Sequence, residues 1–123
     1  MRDFVFQTRL PRVVFGAGAL QHLPRELEGL GAQRAIVLST PGQAVLAQRA
    51  AELLGPQAVG IFAQAAMHVP VEVAHDACEQ ARRLGADSAI AIGGGSTTGL
   101  GKAIALDSGL PVIAIRPPMP AAR

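Results

Sequence analysis

The run Ile90-Ala91-Ile92-Gly93-Gly94-Gly95-Ser96-Thr97-Thr98 passes from an unbroken apolar stretch to three glycines and then to three hydroxyl side chains. A short continuous apolar stretch suits a strand buried on both faces, as in a parallel sheet covered by helices. In such sheets ligands sit beyond the carboxyl ends of the strands. Glycines at that end let the backbone turn sharply and let an anion approach the main chain. The free amides of the next helix's first turn, together with its dipole, favour a phosphate there. The segment therefore reads as a strand feeding a phosphate-binding helix N-terminus, the core of a nucleotide-cofactor site. The plainer alternative is a Gly-rich turn with no ligand.

Spacing excludes one other phosphate loop and weakens a second. A triphosphatase loop needs Gly, four residues, then Gly-Lys-Ser/Thr. Here Gly101-Lys102 is followed by Ala103, and Ser96 stands where the first glycine belongs. A dinucleotide fingerprint starting at Gly16-Ala17-Gly18 needs a third small residue at position 21, which is Gln21. That segment reads as a structural turn. Lys102 is the only lysine, and it falls nearly two turns into the helix expected after Gly95. Two roles stay open for it: reaching back toward a phosphate or ribose, or solvation at the surface.

The rest of the chain alternates strand and helix. Apolar runs predict strands at residues 4–6, 12–15, 35–38, 59–62, 89–92 and 112–115. Helical spacing predicts helices over residues 19–30, 43–54, 71–84 and 96–106. Leu20, Leu23, Leu27 and Leu30 form one inward stripe; Leu46, Ala50, Leu53 and Leu54 a second; Val71, Ala74, Cys78, Ala81 and Leu84 a third. Pro70 suits a helix's first turn, where its missing amide has no partner anyway. The expected architecture is α/β: a three-layer, Rossmann-like parallel sheet with right-handed crossovers and an N-terminal β-hairpin.

Composition narrows the function classes. Half of the 123 residues are hydrophobic, yet there are four Phe and no Trp or Tyr, so the core must be aliphatic. The net charge of +2 is spread along the chain, and no aromatic set is available to stack on bases, which argues against nucleic acid. No apolar run approaches membrane-spanning length and no signal peptide is evident, so a cytoplasmic protein is expected. The single cysteine, Cys78, permits no internal disulfide and reads as a small buried hydrophobe. His22, His68 and His75 have no metal-ligand spacing.

The strings Val-Val-Phe-Gly-Ala-Gly-Ala-Leu at residues 13–20 and Ala-Ile-Gly-Gly-Gly-Ser-Thr-Thr-Gly-Leu-Gly-Lys-Ala-Ile-Ala-Leu at residues 91–106 resemble the maleylacetate reductases. These are a branch of the iron-containing alcohol dehydrogenase superfamily. Most of that superfamily carries an Asp where Gly99 stands, and the Thr97-Thr98-Gly99 version is similar to the maleylacetate branch, whose members generally work without iron. The resemblance implies a dinucleotide-binding α/β domain, here residues 1–115, and a C-terminal helical domain with the active site between them. It implies reduction of the 2-ene bond of maleylacetate to 3-oxoadipate with NADH or NADPH, a late step in aromatic and chloroaromatic breakdown. No metal is expected, and the complete enzyme is expected to take this small-molecule substrate, with a homodimer possible. By the same resemblance Gly93, Gly94, Gly95, Ser96, Thr97 and Thr98 hold the pyrophosphate, with Lys102 in the same motif. Ser39, Thr40 and Pro41 lie near the adenosine ribose. That loop carries no acid to repel a 2′-phosphate, so both cofactors are expected to bind.

The resemblance breaks after Val112-Ile113-Ala114-Ile115. The family continues with a segment like Pro-Thr-Thr-Tyr-Ala-Gly-Ser-Glu-Met-Thr, whereas this chain reads Arg116-Pro117-Pro118-Met119-Pro120-Ala121-Ala122-Arg123. Deleting one leading C from CCG ACC ACC TAT GCC GGC AGC GAG ATG A leaves codons for Arg-Pro-Pro-Met-Pro-Ala-Ala-Arg and a stop. The expectation is an irregular, out-of-frame tail at residues 116–123 on a frameshift-truncated reductase that lacks its helical domain and catalytic groups. Two other readings stand beside it: a stand-alone nucleotide-binding module without catalysis, and a metal-dependent alcohol or glycerol dehydrogenase relative. Gly99 in place of Asp argues against the latter.

Overall fold

The computed structural model describes residues 12–15, 19–65, 71–93 and 95–116. Among these residues are five strands, β1 (Arg12–Phe15), β2 (Ala35–Leu38), β3 (Ala58–Phe62), β4 (Ser88–Ile92) and β5 (Val112–Arg116), and four α-helices, α1 (Leu23–Gly29), α2 (Ala44–Leu54), α3 (Val71–Leu84) and α4 (Gly95–Ser108). Every strand pair is parallel, in the order β1-β5-β4-β2-β3.

β2 and β4 are buried at every position, and this explains why β2, and β4 after Ser88, are continuous apolar runs rather than alternating ones. Alternate residues serve opposite faces. Val37, Ile90, Ile92, Ile113 and Ile115 pack with Leu23 and Leu27 of α1 and with Ala47, Ala50 and Leu54 of α2. Ile36, Leu38, Ala89, Ala91 and Val112 pack with Ala77, Cys78 and Ala81 of α3 and with Leu100 and Ile104 of α4. Burying a leucine such as Leu23 or Leu27, each fully enclosed, contributes roughly 1.5–3 kcal/mol. Between Leu100 and Ile104, α4 meets the sheet through Gly101. A Cβ on Gly101 would lie 2.9 Å from Val112 Cγ1 and 3.5 Å from Ala91 Cβ, so this helix packs closer to the sheet than a larger residue permits.

At the amino end of the sheet, Asp87 ties β2 to β4. Its carboxylate accepts the amides of Gln33 and Arg34, each at 2.9 Å, and its own amide donates to Arg34 O at 2.7 Å. The Arg34 guanidinium turns back to the end of α3, donating to Leu84 O and Gly85 O at 2.6 and 3.0 Å.

The expected α/β alternation is present, with three adjustments. The first and second helices begin as 3-10 turns, Ala19–His22 and Pro41–Gln43, before continuing as α1 and α2. Leu53 and Val71, expected to face inward, are 42% and 82% exposed. Ala47 and Ala77 are buried in α2 and α3, close enough to the sheet to need small side chains. The first strand of the expected hairpin, residues 4–6, lies outside the described residues; its second strand, β1, pairs in parallel with β5 at the sheet edge.

Candidate nucleotide site

Among the described strands the order reverses between β2 and β4. From β2 the chain leaves into α2 on the face that holds α1, and from the neighbouring β4 it leaves into α4 on the opposite face. Connections that diverge in this way open a gap beyond the carboxyl ends of the two strands, the usual ligand position in an open parallel sheet. Leu38 is in register with Ala91, so Ser39-Thr40 and Ile92-Gly93 leave the sheet side by side. The two segments singled out in the sequence, far apart along the chain, therefore meet at this edge.

Gly93 makes the turn out of β4. Its amide donates to Ile115 O at 3.0 Å, and its φ of +125° is one that side-chain-bearing residues rarely adopt. A Cβ there would collide with Gln43 Oε1 and lie 3.3 Å from Thr97 Oγ1. Gly94 lies outside the described residues, and Gly95 and Ser96 are the first residues of α4. Thr97 is fully buried, and its Oγ1 has no hydrogen-bond partner among the described residues. An unpaired buried hydroxyl costs about 1–3 kcal/mol. At the first turn of a helix whose amides are free, such a group suits an anionic oxygen that completes it. Thr98 is half-buried. Lys102 is exposed, on the side of α4 away from Leu100 and Ile104, and is not part of the cluster around Gly93.

The loop after β2 divides its residues between support and display. Ser39 is fully buried and committed to the scaffold: its amide donates to Phe62 O at 3.0 Å, its carbonyl accepts Ala65 N at 3.0 Å, and its hydroxyl donates to Thr40 O at 2.9 Å. Thr40, half-buried and extended, and the exposed Pro41 form the rim. Gln43, which has no signature in the sequence, also reaches this place. Its amide donates to Thr40 O at 3.1 Å, which closes the 3-10 turn, and its side chain crosses the crevice to Gly93.

The remaining chemically versatile side chains lie elsewhere. Burial, and then the Asp107 carboxylate, push the Cys78 thiol up to about 11, so it stays protonated at neutral pH. His22 and His75 are exposed, and His68 lies outside the described residues. Among the described residues no three His, Cys, Asp or Glu side chains converge to hold a metal ion. No helix there is long and apolar enough to cross a membrane.

The chain is 64% identical over 115 residues to the maleylacetate reductase of Burkholderia cepacia; the match covers 94% of this chain and 33% of that protein. It superposes on the crystal structure of maleylacetate reductase from Rhizobium sp. strain MTP-10005 with a TM-score of 0.81 and 51% identity, covering 95% of this chain and 33% of that one. For an iron-containing alcohol dehydrogenase from Corynebacterium glutamicum the TM-score is 0.76 at 32% identity, with 95% and 32% covered. The chain thus spans about a third of the length of the relatives it matches. The sequence pattern of the iron-containing alcohol dehydrogenases matches residues 11–119, and the chain belongs to that family.

Proposed function

We propose that this chain is the cofactor-binding part of a maleylacetate reductase, the part that holds NADH or NADPH while the 2-ene bond of maleylacetate is reduced to 3-oxoadipate. The observation that carries the reading is the buried Thr97 hydroxyl, without a partner among the described residues, beside Gly93 at the start of α4. The identity to the Burkholderia cepacia maleylacetate reductase supports the choice of substrate.

When bound, the dinucleotide supplies the hydride. This chain's own residues bind and orient it. The free amides at the start of α4 face the pyrophosphate, the glycine turn keeps side chains out of its way, and Thr97 Oγ–H donates to a phosphate oxygen. Thr40 and Pro41 border the ribose. Neither they nor Ser39 carries a negative charge, so the 2′-phosphate of NADPH meets no fixed repulsion there.

Fluorescence titration of the purified chain with NADH and with NADPH tests this. The chain has no Trp or Tyr, so nucleotide emission is read against little protein background. Saturable enhancement with both nucleotides, displaced by ADP, is expected. No binding of either overturns the reading, and strict exclusion of NADPH overturns its account of the β2 loop.

A further inference from the structure

Gln43 reaches across the crevice between β2 and β4 to lie against Gly93. We infer that it is a cofactor-positioning residue whose carboxamide donates a hydrogen bond to the dinucleotide's pyrophosphate. The inference rests on the cofactor reading above and adds a residue from the opposite side of the crevice.

Three observations converge on it. The backbone of Gln43 is held by the 3-10 turn, its amide donating to Thr40 O at 3.1 Å, so its side chain starts from a defined place. The carboxamide oxygen, Gln43 Oε1, occupies the space left free by the missing side chain of Gly93, whose φ is +125°; a half-turn about the last side-chain bond brings the Nε2 donors to the same place for an anion. The buried Thr97 Oγ1, unpartnered among the described residues, borders the same space, 3.3 Å from where a Gly93 Cβ would sit. An anion seated at the start of α4 therefore has one wall made by Thr97 and another by Gln43. A glutamine amide carries two N–H donors and no charge. It can thus complete the coordination of a phosphate already stabilised by a helix N-terminus without trapping it. The contact also joins loops that run to opposite faces of the sheet, so bound pyrophosphate would hold the two loops at one spacing.

The test uses the full chain, with ADP and NADH as probes, and two variants matched in length. Gln43→Met keeps the bulk over Gly93 and removes the donors. Gln43→Glu keeps the shape and places a negative charge beside the pyrophosphate. Gln43 is half-buried on a loop, and both variants are expected to melt within a few degrees of the parent. A charge-assisted hydrogen bond predicts that Gln43→Met weakens ADP and NADH binding roughly tenfold, and Gln43→Glu by more. Parental affinity for both probes in Gln43→Met overturns the inference, because Gln43 would then only fill space. A parent chain that binds neither probe overturns the cofactor reading itself, and the inference with it.

Discussion

Gln43 Oε1 and the Cα of Gly93 are packed so closely that no methyl group fits between them. The contact joins the end of β2 to the end of β4 across the crevice, and it exists because position 93 has no side chain. Gly93 also holds a φ of +125°, in which an alanine is strained. Gly93→Ala is therefore expected to lower stability by about 1–3 kcal/mol and, by displacing Gln43, to weaken NADH binding at least tenfold. Thermal melts and a fluorescence titration read the two effects separately. Parental affinity in a folded Gly93→Ala chain would remove this turn from the site.

Thr97→Val separates a ligand-binding hydroxyl from a structural one by the sign of two effects. Valine keeps the shape and removes an oxygen that has no partner among the described residues. A structural hydroxyl would be missed on removal, whereas an orphan is not. The free chain is expected to be unchanged or up to about 1–2 kcal/mol more stable, while NADH binds roughly tenfold more weakly. Loss of both stability and affinity would show that Thr97 serves the fold.

The fold was legible because its central strands are buried on both faces, which writes them as continuous apolar runs such as Ala35–Leu38 and Ala89–Ile92 with glycine or proline nearby. The turn out of β4 was legible for a related reason: glycines at a strand end mark a sharp change of direction, and Gly93 makes it with a φ of +125°. Gln43 was not legible, since a glutamine after Pro41-Gly42 has no local signature. Its role depends on strand order, which decides whose loop neighbours Gly93, and sequence periodicity carries no strand order. Leu53 and Val71 misled for a different reason. Leu53 lies to one side of the buried stripe of Ala47, Ala50 and Leu54, and Val71 is the first residue of α3, before its buried stripe of Ala77, Cys78 and Ala81 begins. That Ser39 is committed to the scaffold by three hydrogen bonds, while Thr40 and Pro41 form the rim, was likewise not readable from the sequence.

Asp87 gives the chain a defined acid response. Its partial burial works against ionisation, but the amides of Gln33 and Arg34 and the Ser88 hydroxyl outweigh it and hold the carboxyl below its ordinary 3.8. A carboxyl with a lowered folded-state value stabilises above the unfolded value, and that stability is lost as pH falls through the folded one. Denaturant melts of the parent are expected to weaken below about pH 4. Asp87→Asn should cost roughly 1–3 kcal/mol at pH 7 and less as the pH falls, so the two curves converge in acid. A constant gap across the range would mean that the charge is not what matters.

Gly101 tests whether the close approach of α4 is needed at the site. On an open helix surface Gly→Ala stabilises by up to about 1 kcal/mol. Here the new Cβ would lie 2.9 Å from Val112 Cγ1, tighter than carbon atoms tolerate, and both groups belong to packed elements. Gly101→Ala is therefore expected to destabilise by about 1–3 kcal/mol, the opposite sign. If α4 answers by lifting from the sheet, its first turn moves relative to Gly93, and NADH affinity falls although no ligand-facing group has changed. Val112→Ala added to Gly101→Ala frees the space, and both stability and affinity should recover part of the loss. A double-mutant cycle on the melts checks the coupling. Additive losses would show that α4 accommodates the methyl without the sheet, and that the position of the helix N-terminus is set elsewhere.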